Sequence, residues 1–330
     1  VFGVTNYFHN SREIAEMKVL IAIDHSDASS LVIDAIVKAE WPEDLHFKLV
    51  HVLAPLEEMG TTLNISTPEW HESLNSAQEQ LRSSAQVLLS EYAEKLKSVF
   101  PNCKCTLHLE EKVDQPVDAC VLSIAGDWQP DLIVVGSHGK RGLTRLLLGS
   151  VSFSLLCQSS CSVRIVKQAV FPAAENFFNV LLPIDNTEHS KLALASISER
   201  PWHPSTRFRL LTVLPPVFSH GPLPVSGSAA IYELNEETEE LEQASATLKE
   251  QAETLARSLS KSHHVDSVAV RGDARDAIIE QAYNFPAGLI VMGNKPKTAL
   301  SRFFLGSVSS AVALVAPCSV EVVRQRTLSM

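Results

Sequence analysis

No run of apolar residues in this 330-residue chain approaches the length that crosses a bilayer, and its first residues hold no apolar signal core. These absences predict a cytoplasmic protein with no membrane partner. Basic residues are also scarce, with 28 Lys and Arg against 38 Asp and Glu and a formal net charge of −10. Nucleic acid is a poor partner for such a balance, because phosphate backbones need a basic face. Cysteine is limited to six, and neither Cys103-Lys-Cys105 nor the Cys157 to Cys161 spacing is completed into a zinc site by a Cys or His pair elsewhere. They read as reduced thiols, buried or half-buried. Two nucleotide signatures are missing as well. No Gly-x-Gly-x-x-Gly follows the first strand, which weakens a dehydrogenase reading, and no Walker loop ends in Lys-Ser or Lys-Thr.

What the chain does have is repetition. Asp24, Trp41 and Val52 recur 161 residues later as Asp185, Trp202 and Val213. Further on, Gly136, Gly149 and Cys161 recur 157 residues later as Gly293, Gly306 and Cys318, so the repeats differ in length by four residues. A period this long means two tandem domains. Residues 17–167 form the first and 177–325 the second, joined by a linker at 168–176; residues 1–16, which precede Met17, read as an N-terminal extension.

Each repeat alternates strand and helix patterns. In the first, Lys18–Asp24 reads as a strand, Asp27–Glu40 as a helix and Phe47–Leu53 as a strand. A long helix follows, with Ala77, Leu81, Ala85, Leu88, Tyr92, Leu96 and Val99 on one apolar stripe. Then come a strand near Thr106–Leu109, a helix near Val117–Ala125, the apolar strand Asp131–Val135, a helix after Ser150 and a last strand at Val163–Val166. The alternation predicts an α/β fold: two tandem open-sheet domains, each a five-stranded parallel sheet with helices on both faces. The end strands Val163–Val166 and Val320–Val323 are short and β-branched, and as exposed edges they need covering, which predicts an intramolecular pseudo-dimer. A homo-oligomer of the chain is a further expectation.

Gly136-Ser-His-Gly139, nine residues and then Gly149-Ser150 lie between an apolar strand and a helix start. Glycines let backbone approach a ligand, and the first unpaired amides of a helix point at an anion, so the element reads as a phosphate cradle. Ser150 adds a hydroxyl donor. If the first and fourth strands are neighbours, Asp24 and Gly136 face one crevice beyond the strands' carboxyl ends. Asp24 then has two readings: acceptor for an exocyclic amine such as that of adenine, or turn and helix-cap residue. His138 lies in the cradle loop, and Lys140 and Arg141 follow it, without a convincing general base.

The strands ending in Asp24 and Gly136, the Gly-x2-Gly-x9-Gly-Ser loop and the closing Cys161-Ser-Val-Arg-Ile-Val166 resemble the universal stress protein family in its tandem form, from about Met17 to Arg324. The resemblance implies strand order 3-2-1-4-5, pairing of domains through the fifth strands, and ATP binding where the loop is kept. It places adenine against Asp24 and the backbone of Val52, ribose near Val135 and Gly136, and phosphates on Gly139, Gly149, Ser150, Val151 and Ser152. Asp185, Val213, Gly293, Gly306, Ser307 and Ser309 are the second-domain counterparts, but Pro296 replaces Gly139 and removes an amide. The Arg271-Gly272-Asp273 turn typical of the family is Val113-Asp114-Gln115 in the first repeat. The expected function is an adenine-nucleotide-binding regulatory protein of stress-response type with an unidentified protein partner. The alternative is a slow ATP hydrolase at the first site, with Mg2+ on the phosphates.

Overall fold

The computed structural model describes residues 16–53, 68–111, 115–137, 148–170, 178–216, 227–259, 263–294 and 305–325. Residues 1–15 of the N-terminal extension, most of the linker, the Val113-Asp114 part of the turn, and His138, Gly139, Lys140, Arg141 and Pro296 lie outside the described residues.

The first repeat runs β1 (Met17–Ala22), α1 (Asp27–Val37), β2 (Leu45–Leu53), α2 (Pro68–Val99), β3 (Lys104–Glu111), α3 (Val117–Trp128), β4 (Leu132–Gly136), α4 (Ser150–Gln158) and β5 (Ser162–Val166). The second runs β6 (Phe178–Pro183), α5 (Glu188–Ser198), β7 (Thr206–Leu214), α6 (Gly227–Ser258), β8 (His264–Arg271), α7 (Ala274–Asn284), β9 (Leu289–Gly293), α8 (Ser307–Val315) and β10 (Ser319–Val323). Leu132-Ile-Val-Val-Gly136 is buried throughout, as a central parallel strand covered on both faces must be.

Strand order is β3-β2-β1-β4-β5-β10-β9-β6-β7-β8. Each repeat keeps the order 3-2-1-4-5 with parallel pairing, but the sheets are not separate: β5 and β10 pair antiparallel and fuse them into one sheet of ten strands. On one face a single apolar core runs across the seam, from Val121 and Leu155 through Ile165 and Val320 to Val312 and Ile278. On the other face the core is split in two, around Phe47, Ile33 and Leu96 in the first repeat and Phe208, Ile197 and Leu255 in the second.

The gap between those two cores is ionic. Arg164 of β5 and Arg200, just past α5, close on the Glu321 carboxylate of β10 at 2.7 Å each. Burial alone would raise the Glu321 carboxyl, but the two guanidiniums reverse that and hold it at about 2. The strand ends are crossed. Lys167 Nζ donates to Leu314 O at 3.0 Å and Ala316 O at 3.2 Å at the C-terminus of α8, and Arg324 donates to the carbonyls of Leu156 and Cys157 at the C-terminus of α4. Each repeat thus supplies the cation that meets the negative helix end of the other.

Three sequence expectations need correction. Helix α1 stops at Val37, short of Glu40, because Lys38 already caps it. Asp24 lies beyond β1, not at its end. The buried line of α2 is Ala85, Leu89, Ala93 and Leu96, whereas Val99 is 43% exposed. Contact with β2 and β3 selects that line, which keeps Ala85 and Leu96 of the expected stripe and takes Leu89 and Ala93 in place of Leu88 and Tyr92.

Candidate functional site

Strands β1 and β4 are neighbours, with Ala22 opposite Val135, so their carboxyl ends frame the crevice where strand order reverses. Val52 contributes backbone. The Val50 carbonyl accepts from Ile23 N–H at 3.0 Å, and two residues on, beyond the end of β1, Val52 directs its own amide and carbonyl the same way, into the crevice. In the second repeat Leu211 O accepts from Ile184 N–H at 2.8 Å, so Val213 stands equivalently.

At Asp24 the turn chemistry is realised. Its Oδ1 accepts from Ser26 N–H at 3.0 Å, from the Ser26 hydroxyl, and from Ser29 Oγ at 3.0 Å, while its own N–H donates to Ser29 Oγ at 2.8 Å. Its other oxygen, Oδ2, takes no donor among the described residues, and the side chain is half-buried at the crevice. Asp185 repeats the arrangement with Thr187, whose N–H and hydroxyl reach Oδ1 at 3.2 and 2.6 Å. Thr187 in turn caps α5 by accepting from Ser190 N–H.

Gly136 also has a packing reason. A Cβ there would lie 2.7 Å from Ala28 Cβ, and at Gly293 it would lie 2.2 Å from His189 O. At both glycines the strand presses against the first turn of a helix earlier in its repeat, β4 on α1 and β9 on α5. Ser152, buried, donates to Gly136 O at 2.6 Å, and Ser309 donates to Gly293 O at 3.1 Å. Gly149 N–H donates to Ser137 O at 2.7 Å; Gly306 N–H donates to Asn294 Oδ1 at 3.1 Å. The Ser152 and Ser309 hydroxyls and the Gly149 and Gly306 amides therefore hold the loop ends together.

At the head of α4, Gly149 is the N-cap and supplies no side chain, so among the described residues the amides of Ser150, Val151 and Ser152 have neither an intrahelical acceptor nor a cap. Ser150 is exposed and Val151 half-buried. Gly306, heading α8, is likewise an N-cap without a side-chain bond. The candidates of the second repeat, Asp185, Val213, Gly293, Gly306, Ser307 and Ser309, all line one cavity of about 180 Å³. That is below the roughly 300–1,000 Å³ of pockets that enclose a drug-sized ligand.

Sequence reasoning missed Ser137 and Asn294, which tie the loop ends, and Ile278 of α7, which floors the second cavity. It also missed His51, buried on β2 with its ring 5.3 Å from that of His25 beside Asp24. Among the described residues no three His, Cys, Asp or Glu side chains group to hold a metal ion, and no helix is long and apolar enough to cross a membrane.

A model of the universal stress protein family matches the chain twice, over residues 17–167 and 176–324. A universal stress protein of Mycolicibacterium smegmatis is 27% identical over 316 residues, 94% of this chain and 98% of that protein. A shorter one from Thermus aquaticus, 33% identical over 151 residues, matches 45% of this chain and 99% of its own length. Among solved structures, a universal stress protein from Archaeoglobus fulgidus aligns with a TM-score of 0.58 over 93% of this chain and 96% of its own, at 18% identity, a likeness of fold alone. With two matches that together span nearly the whole chain, this protein belongs to the universal stress protein family and carries its domain twice in tandem.

Proposed function

We propose that the chain is a regulatory protein of stress-response type, acting in the cytoplasm, that binds an adenine nucleotide, ATP foremost, at the crevice of the first repeat. The carrying observation is the head of α4 at the β1/β4 crevice, where the amides of Ser150, Val151 and Ser152 have no acceptor among the described residues. Asp24 Oδ2 and the Val52 backbone, on the other wall, supply acceptors and a donor of the kind an adenine edge needs. The phosphates would sit on the amides of Ser150, Val151 and Ser152 and, in the loop, on Gly139, with Mg2+ carried by the phosphates. The bound nucleotide adds negative charge where the helix dipole favours it. Occupancy would be read by a protein partner.

Pro296 stands where the first repeat has Gly139, so the second cavity lacks one amide and is the weaker site. Calorimetry with ATP on the full chain tests the reading. Binding at one strong site, with Gly139→Pro weakening it at least tenfold, is expected; two equal sites, or unchanged affinity in the variant, overturn the assignment. Mass spectrometry of nucleotide released from the denatured, freshly purified protein identifies which adenine nucleotide is held.

A further inference from the structure

The antiparallel register of the seam puts Val163 opposite Val322, Arg164 opposite Glu321 and Ile165 opposite Val320. Because the repeats are offset by 157 here, Arg164 and Glu321 are the same position of the two repeats. That position lies on the pseudo-two-fold axis, and in any like-with-like pairing it would meet itself. We propose that the seam carries a pairing code, in which Arg164 and Glu321 make the two repeats each other's partner and bar a first repeat from pairing with another first repeat.

The rest of the seam does not discriminate. Val163, Ile165, Val320 and Val322 are buried β-branched aliphatics that would pack in either combination. Lys167 and Arg324 both cap the opposite repeat's last helix, and Ser162 and Ser319 both accept from the neighbouring backbone, at 3.2 Å each. Only the axis residue differs in sign. Arg164 is 8% exposed and gives Glu321 Oε2 two bonds, 2.8 Å from Nε and 2.7 Å from Nη2. Two first-repeat edges would bury two such guanidiniums against each other with no carboxylate at the axis, since the place of Glu321 is taken there by Arg164 itself. An uncompensated buried charge is strongly destabilising. Two second-repeat edges would keep each Glu321 beside its own Arg200, at 2.7 and 3.1 Å, but remove both bonds from Arg164. The partner that fits the first-repeat edge is therefore an edge with an acid at the axis, and a second copy of the chain engages it only by exchanging halves.

Three full-length variants test the code: Arg164→Glu, Glu321→Arg and the two together. Glu321→Arg gathers three guanidiniums and is expected to lower the apparent unfolding midpoint by about 10 °C, Arg164→Glu less because Arg200 remains, and the charge swap should regain at least half of the larger loss. The two single variants, differently tagged and co-expressed, should co-purify as a dimer of twice the chain mass, because exchanging halves restores an Arg–Glu axis in both seams. Tagged wild-type chains should stay monomeric. If Glu321→Arg alone does not accumulate as soluble protein, recovery of soluble chain in the swap and in the co-expressed pair is read instead. Losses that simply add in the swap, or co-expressed variants that form no complex, overturn the code.

Discussion

Gly136 and Gly293 illustrate how far a residue's identity can be read without its neighbours. Both invite the cradle explanation, and both also sit where a first helical turn leaves no room for a Cβ, the Ala28 side chain at Gly136 and the His189 backbone at Gly293. Gly136→Ala would press on the Ala28 side chain, and Gly293→Ala on the carbonyl of His189, which cannot rotate away. Urea unfolding should therefore show a loss of about 1–3 kcal/mol for Gly136→Ala and a larger one for Gly293→Ala. Equal and negligible losses would mean the strands can step back from the helices. At Asp24 the sequence left two roles open, and the structure shows the turn role: Oδ1 fastens the turn, while Oδ2 takes no donor among the described residues. Ser152→Ala removes a bond to the Gly136 carbonyl in a buried place, so it should cost about 1 kcal/mol of stability even without nucleotide.

The elements were legible because hydrophobic periodicity follows from backbone geometry, and among the described residues their type and order match those expected. Register within an element was less so. On α2 the stripe from Ala77 to Val99 allows more than one buried line, and only the surface of β2 and β3 chooses Leu89 and Ala93 over Val99. Leu89→Ala is expected to cost about 2–5 kcal/mol in denaturant unfolding, and Val99→Ala less than about 0.5. The crossed caps were not legible at all, since Lys167 and Arg324 read as residues past a strand's end. Burial lowers Lys167 from its ordinary 10.5 to about 8, so between these values the unfolded chain holds the proton that the folded chain releases. The penalty from Lys167 is full below pH 8 and is relieved as pH rises toward 10.5. Stability of the wild type relative to Lys167→Met should therefore increase over that interval, measured as the shift in urea midpoint.

At the scale of the molecule, one buried carboxylate joins two domains. Glu321 falls from an ordinary 4.5 to about 2 in the folded chain, so its contribution is complete above pH 4.5 and disappears as pH drops toward 2. Acid unfolding followed by fluorescence of Trp41 and Trp202, which stack on Arg164 and Arg200, should show the seam loosening in that interval; Glu321→Gln should flatten the dependence. Ile165→Lys, on the apolar face of the same seam, should lower stability by a few kcal/mol at every pH where the lysine is charged.

By itself the sequence determined the tandem repeat, the alternation of strand and helix, and the glycine-bearing loop at a helix head, because these are written in spacing along one chain. It also determined that β5 and β10 are edges in want of a partner. Tertiary structure alone decided that they meet antiparallel in one ten-stranded sheet, that the core runs continuously on one face and is split by an ionic cluster on the other, and that Arg164 stands against Glu321. It also decided which loop groups are already engaged, the Ser152 hydroxyl and the Gly149 amide among them. The physical reason is that propensity and periodicity are local. Close approach and charge pairing join atoms more than a hundred residues apart, brought together within a repeat at Gly136 and Ala28 and across the seam at Arg164 and Glu321.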